Sequence, residues 1–154
     1  MLLTLAETRI NEMKQRPPVI VAPDTPLKVA VDLTLQHRRG SVLICDADGG
    51  LVGIFTSRDL VTRIDHNDLA WHTRPVSDLM SRNPVTIGRD ASLAEAMELM
   101  RNKAIRTLPV VEDGQAVGVL SIRDILRHIA ESFPDTFLNL PPDPSLEATS
   151  RWGG

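Results

Sequence analysis

A chain of 154 residues, 42% apolar and 24% charged, has a globular composition and the length of one domain or two small, closely packed halves. A net charge of −3 and 3% aromatics, none of them Tyr, argue against a protein that grips nucleic-acid backbones or stacks unpaired bases. No apolar run reaches the length a bilayer requires, and Met1-Leu2-Leu3-Thr4-Leu5-Ala6 is too short and lacks a signal peptide's basic flank, so a cytoplasmic protein is expected.

In chain order, residues 1–16 read as an N-terminal helix ahead of a first unit at 17–66. That unit opens on the strand-like run Pro18-Val19-Ile20-Val21, followed by Asp24-Thr25-Pro26-Leu27. Pro26 suits the opening turn of a helix whose apolar stripe is Leu27, Ala30, Val31, Thr34 and Leu35. Val29 and Leu33 lie off the stripe, so the helix is apolar nearly all round and is expected to be buried on two sides. Two strands follow at 42–45 and 51–55, joined through Asp48-Gly49-Gly50. Cys45 is the only cysteine, so it forms neither an internal disulfide nor a zinc knuckle, and after Val42-Leu43-Ile44 it reads as a small core residue. A last helix begins near Ser57 and carries Leu60, Val61 and Ile64.

Residues 67–75 form a polar linker, and 76–132 then repeat the first unit. Pro84-Val85-Thr86-Ile87 and Asp90-Ala91-Ser92-Leu93 lead into a helix with Leu93, Ala96, Met97, Met100 and Ala104 on one stripe. Ser92 and Glu95 have capping-box spacing. Strands at 108–111 and 115–120 flank Asp113-Gly114, and Ile125, Leu126 and Ile129 mark the final helix. Pro18 and Pro84 stand 66 residues apart, Asp59 and Asp124 stand 65 apart, and the one-residue difference falls in a turn. A duplication of this kind predicts two like units sharing a core. Residues 133–154 form a Pro-rich tail in which Phe137, Leu138 and Leu140 suggest docking on another surface.

The most informative feature is a twice-used Gly-x-x-[Ser/Thr]-x-Arg-Asp at a strand-to-helix junction: Gly53, Thr56, Arg58, Asp59 and Gly118, Ser121, Arg123, Asp124. Glycine weakens a strand unless another group approaches closely. The Thr56 and Ser121 hydroxyls, with free N–H groups of the following helix, make an anion site suited to phosphate. Asp59 and Asp124 offer paired acceptors for a ribose diol. The same [Ser/Thr]-x-x-Asp spacing also serves as a helix cap, and the two roles can coexist.

These motifs, in this order and present twice, resemble the cystathionine-β-synthase (CBS) domain family as a tandem pair. The matching positions are Met80-x-x-x-Pro84-Val85-Thr86, Asp90-x-Ser92-Leu93-x-x-Ala96, Arg106-x-x-Pro109-Val110-Val111 and Gly118-x-x-Ser121-x-x-Asp124, with 13–19, Asp24-x-Pro26-Leu27-x-x-Ala30 and Gly53-x-x-Thr56-x-x-Asp59 in the first half. The resemblance implies an α/β (α+β) fold of β-α-β-β-α repeats, with two small three-stranded sheets flanked by helices in a pseudo-twofold pair. It implies a regulatory, energy-sensing module whose clefts bind AMP, ADP, ATP or S-adenosylmethionine, with Mg only alongside phosphates. By resemblance, Asp59 and Asp124 hold riboses and Thr56 and Ser121 lie near phosphate. Val19 and Thr86 offer backbone groups to adenine, and aliphatics around Ile105 and Pro109 sandwich the ring. Arg58, Arg106 and Arg123 are candidates to neutralise phosphate.

The first unit departs from the pattern. Gly40-Ser41-Val42-Leu43-Ile44 replaces Arg106-Thr107-Leu108-Pro109-Val110, with Arg38 and Arg39 just upstream, so the two clefts need not be equivalent. The alternative function is a ligand-free dimerisation and partner-docking module with degenerate clefts. Catalysis is not expected, because His37, His66, His72 and His128 form no recognisable triad or metal spacing. The surplus of apolar helix surface predicts a homodimer, disc-like in the family resembled, acting on an unidentified regulated protein.

Overall fold

The computed structural model describes residues 5–132. The first unit contains β1 (Ile20–Val21), α1 (Leu27–His37), β2 (Ser41–Cys45), β3 (Leu51–Thr56) and α2 (Ser57–Arg63). After a linker come β4 (Ser81–Arg82), β5 (Ile87–Gly88), α3 (Leu93–Lys103), β6 (Thr107–Glu112), β7 (Gln115–Ser121) and α4 (Ile122–Ser132). The tail at 133–154 lies outside the described residues.

Both units have one topology. β1 runs parallel to β2, as a helical crossover requires, and β2 runs antiparallel to β3. β5, β6 and β7 repeat this arrangement. Even the irregularities recur: each hairpin shifts register at the same relative place, between Ile44 and Cys45 and between Val110 and Val111.

The helices start and stop for local reasons. The Glu95 N–H donates to Ser92 Oγ at 3.1 Å and the Ser92 N–H donates to Glu95 Oε2 at 2.6 Å, closing the expected capping box. Those bonds hold the Glu95 carboxyl below its usual range. α1 and α3 both end on a left-handed residue, Arg38 at φ 52° and Ala104 at φ 53°. Neither side chain favours that conformation, whereas glycine accepts it freely. Ala104→Gly is therefore expected to raise stability by about 1 kcal/mol, read as a higher urea midpoint with unchanged slope.

Three sequence expectations need correction. α1 is not buried on two sides: Leu27 and Ala30 are interior and Val31 and Leu33 pack partly against the first core, whereas Val29 and Leu35 are exposed. The first sheet has four strands, ordered β1-β2-β3-β4, since Ser81–Arg82 pairs with Ile54 and Gly53. The segment read as an N-terminal helix contains, among its described residues, a single 3-10 turn at Ile10–Glu12. Its backbone donors are committed elsewhere: the Ile10 N–H donates to Ala91 O and the Asn11 N–H to Arg89 O, both at 2.9 Å.

That last contact belongs to a reciprocal exchange. Ile10 and Met13 precede the first unit, yet they are buried in the second unit's core with Leu93, Leu108 and Ile125. Val76, Leu79 and Met80 open the second unit ahead of β5, yet they are buried in the first unit's core with Leu27, Val42 and Phe55. Ile10 and Val76 are 66 residues apart, so the exchange obeys the duplication. It also explains the strand glycines. A Cβ on Gly53 would strike Met80 Sδ, and one on Gly118 would strike Gln15 Oε1, so the group that approaches each glycine is the exchanged segment.

Candidate functional site

Each strand-to-helix junction closes on itself. At β7–α4 the Ser121 N–H donates to Asp124 Oδ2 at 2.8 Å and Ser121 Oγ donates to the same oxygen at 2.9 Å; the Asp124 N–H returns to Ser121 Oγ at 3.2 Å. At β3–α2 the corresponding distances for Thr56 and Asp59 are 2.9, 3.2 and 3.4 Å. Capping is therefore one role of both motifs, and any ligand role rests on the remaining oxygen.

The two remaining oxygens differ. Asp59 Oδ1 accepts from Arg63 Nε at 3.3 Å and its side chain is only 10% exposed. Asp124 Oδ1 meets Arg127 Nη1 at 3.5 Å and its side chain is 26% exposed. A carboxylate that must receive a ligand is better placed at Asp124.

Asp124 lies in the wall of a cavity of about 440 Å³ between the units. The first unit and the segment before it contribute Arg16, Val19, Arg38, Arg39 and Ser41, and the second contributes Arg106, Ser121, Arg123, Asp124 and Arg127. Arg39 Nη2 donates to Pro17 O at 2.8 Å, while its Nε is buried without a hydrogen-bond partner. Burial and the adjacent Arg16 pull the Arg39 guanidinium below its usual pKa, and Asp124 acts in the opposite direction.

Five sequence-predicted residues thus share one cavity: Val19, Arg106, Ser121, Arg123 and Asp124. The other six do not line it. Thr56, Arg58 and Asp59 stand at the first junction, and Thr86 is exposed just ahead of β5. Ile105 packs partly against the second core, and Pro109 is buried in β6 opposite Val119. Arg16 and Arg127 were not anticipated. Arg127 had a signal, since it lies one helical turn beyond Arg123, but Arg16 reaches the cavity through a tertiary path that sequence does not display.

Among the described residues no group of three or more His, Cys, Asp or Glu is arranged to hold a metal ion. No described helix is long and apolar enough to cross a membrane.

A duplicated β-α-β-β-α unit with a ligand-sized cleft between its copies defines a class, and residues 10–66 and 76–131 each match the family model of the CBS domain. The chain belongs to that family. An inosine-5′-monophosphate dehydrogenase of Aquifex aeolicus is 36% identical over 112 residues, covering 71% of this chain but 22% of the dehydrogenase, so the likeness carries no argument about catalysis. An uncharacterized 17.7 kDa protein of Acidianus ambivalens is 26% identical over 125 residues, 80% of this chain and 74% of that one. For protein MK0525 of Methanopyrus kandleri the identity is 32% over 120 residues, and the chain spans 61% of its length. Among solved structures, the CBS-domain protein ATU1752 of Agrobacterium tumefaciens superposes with a TM-score of 0.73 at 32% identity, over 82% of this chain and 96% of that one. The CBS domain pair of protein MJ0100, in complex with 5′-methylthioadenosine and S-adenosyl-L-methionine, gives 0.71 at 26% identity, over 81% and 98%.

Proposed function

We propose that the chain is a non-catalytic regulatory module that binds an adenosine-containing ligand (AMP, ADP, ATP or S-adenosylmethionine) in the cleft beside Asp124. The observation that carries the reading is the convergence, from both units, of a partly exposed carboxylate, a strand-end hydroxyl and several guanidinium groups on one cavity. The adenosine-type ligands of the related MJ0100 pair support it. In this reading Asp124 accepts from the ribose hydroxyls, and Ser121 with the start of α4 faces phosphate. Val19 offers backbone groups to the adenine edge, and Mg enters only with a phosphate chain. Competition between AMP and ATP for the cleft would make the module an energy sensor for a partner protein.

Thermal unfolding tests this. A ligand at a hundredfold excess over its Kd stabilises the native state by about 2.7 kcal/mol, raising the midpoint by several degrees. Asp124→Asn keeps one oxygen for the Ser121 N–H but turns an amide donor toward the ribose. It is expected to abolish the shift while leaving the unliganded midpoint nearly unchanged. A wild-type midpoint indifferent to every adenosine compound would overturn the reading in favour of a docking module with degenerate clefts, an alternative favoured at the first junction by the Arg63-bound, buried Asp59.

The reading includes a homodimer. Val61 on α2 and Leu126 on α4 occupy equivalent places 65 residues apart and are 81% and 61% exposed. Val61→Glu with Leu126→Glu is expected to lower the sedimenting mass from dimer to monomer. An unchanged mass would place the interface elsewhere.

A further inference from the structure

We infer that the Asp124 cleft selects a nucleoside polyphosphate, one per chain, over a monophosphate or a sulfonium nucleoside; the inference rests on the nucleotide reading above and narrows its ligand class.

The argument starts from charge. The cavity wall carries Arg16, Arg38, Arg39, Arg106, Arg123 and Arg127 against the single carboxylate Asp124. The chain as a whole is acidic, at −3, so this is a local concentration of positive charge. A monophosphate brings about two negative charges and leaves most of that field unmatched, whereas a triphosphate brings about four. S-adenosylmethionine adds a cationic sulfonium, which the same field opposes. Arg39 has its charged form disfavoured by burial and, next, by Arg16, and its Nε is buried without an acceptor. A run of phosphate oxygens answers both features with charge-assisted hydrogen bonds.

The duplication shows that the charge is specific to this cleft. Shifting the six arginines by the repeat offset gives Arg82, Ala104, Ile105, Gly40, Arg58 and Thr62 at the equivalent places. Six cations become two, and the equivalent carboxylate, Asp59, is buried against Arg63. The first junction therefore lacks both the charge and the open acceptor.

Calorimetric titration of the full chain with AMP, ADP, ATP, S-adenosylmethionine and inorganic tripolyphosphate tests the inference. ATP is expected to bind at least about tenfold more tightly than AMP, with one site per chain and an advantage that shrinks as salt rises. Arg38→Ala should narrow the ATP-to-AMP gap and Arg38→Lys should largely keep it. Ala104 already holds the same left-handed conformation at the equivalent place, so the alanine variant should fold. AMP or S-adenosylmethionine binding as tightly as ATP, or two equal sites per chain, would overturn the inference and leave the adenosine reading standing. Tripolyphosphate matching ATP would instead remove the nucleoside from the reading and keep the polyanion site. Binding by none of the five would overturn both.

Discussion

Deleting residues 1–13 is expected to unfold the second CBS unit while the first, which follows the deletion directly, stays folded. The deleted segment carries Ile10 and Met13, whose side chains belong to the second core. It also carries the partners of four backbone bonds to that unit: Ile10 N–H to Ala91 O, Asn11 N–H to Arg89 O, Leu93 N–H to Thr8 O and Ala94 N–H to Leu5 O. Emptying two large buried positions removes on the order of 5 kcal/mol or more. A domain of this size has about 5–15 kcal/mol in all. The first unit keeps its own exchanged residues, Val76, Leu79 and Met80, and loses nothing from its core.

Hydrogen exchange should show α3, β6 and β7 losing protection while β2 and β3 keep it. Cys45 supplies a second readout. It is buried in β2, and its thiol is pushed above the usual pKa by burial and by Asp46, so it should resist alkylation in the deleted chain until denaturant is added. Simultaneous loss of protection in both units would show that the cores do not melt separately.

Gly53→Val is expected to destabilise the protein by about 3 kcal/mol, far more than Gly118→Ala. At Gly53 the added carbon meets Met80 Sδ and lies 3.1 Å from the Ser81 carbonyl oxygen, and the latter belongs to β4. Backbone in a paired strand cannot step aside without breaking its register with β3. At Gly118 the obstruction is the carboxamide of Gln15, the far end of a flexible side chain, which can rotate away at the loss of its bond to Ile10 O. Urea unfolding of Gly53→Val, alone and with Met80→Ala, checks the cause. Partial rescue by the second substitution is expected, and full additivity would mean that Met80 is not the obstruction.

The repeated pattern made much of this molecule readable. Two hairpins with their Asp-Gly or Gly-Gly turns, the Ser92–Glu95 cap and the two strand-to-helix junctions are all set within a few residues of chain, where spacing and geometry are nearly the same thing. What stayed hidden depends on residues far apart in sequence. Ile10 is one apolar residue among polar ones, and nothing near it signals a core that begins some eighty residues later. Separation along the chain also hid β4, whose two residues acquire strand character only beside Gly53 and Ile54. The glycines were recognised as places of close approach, but their neighbours proved to be Met80 and Gln15. Six of the eleven candidate binding residues do not line the Asp124 cavity, and three of these, Thr56, Arg58 and Asp59, stand at the other junction. That the two clefts need not match was legible in Gly40–Ile44, whereas the Arg63–Asp59 pair that closes one of them was not.

The crossed segments also bear on ancestry. A single half, cut to include its leading segment, would hold an empty groove and an apolar hook fitting the groove of an identical copy. Two such halves would complete each other as an intertwined pair, at the entropic expense of bringing two molecules together. Joining them through residues 67–75 removes that expense, because each hook then meets its groove at the effective concentration of a tether rather than of a solution. The chain is in this sense built like a fused dimer.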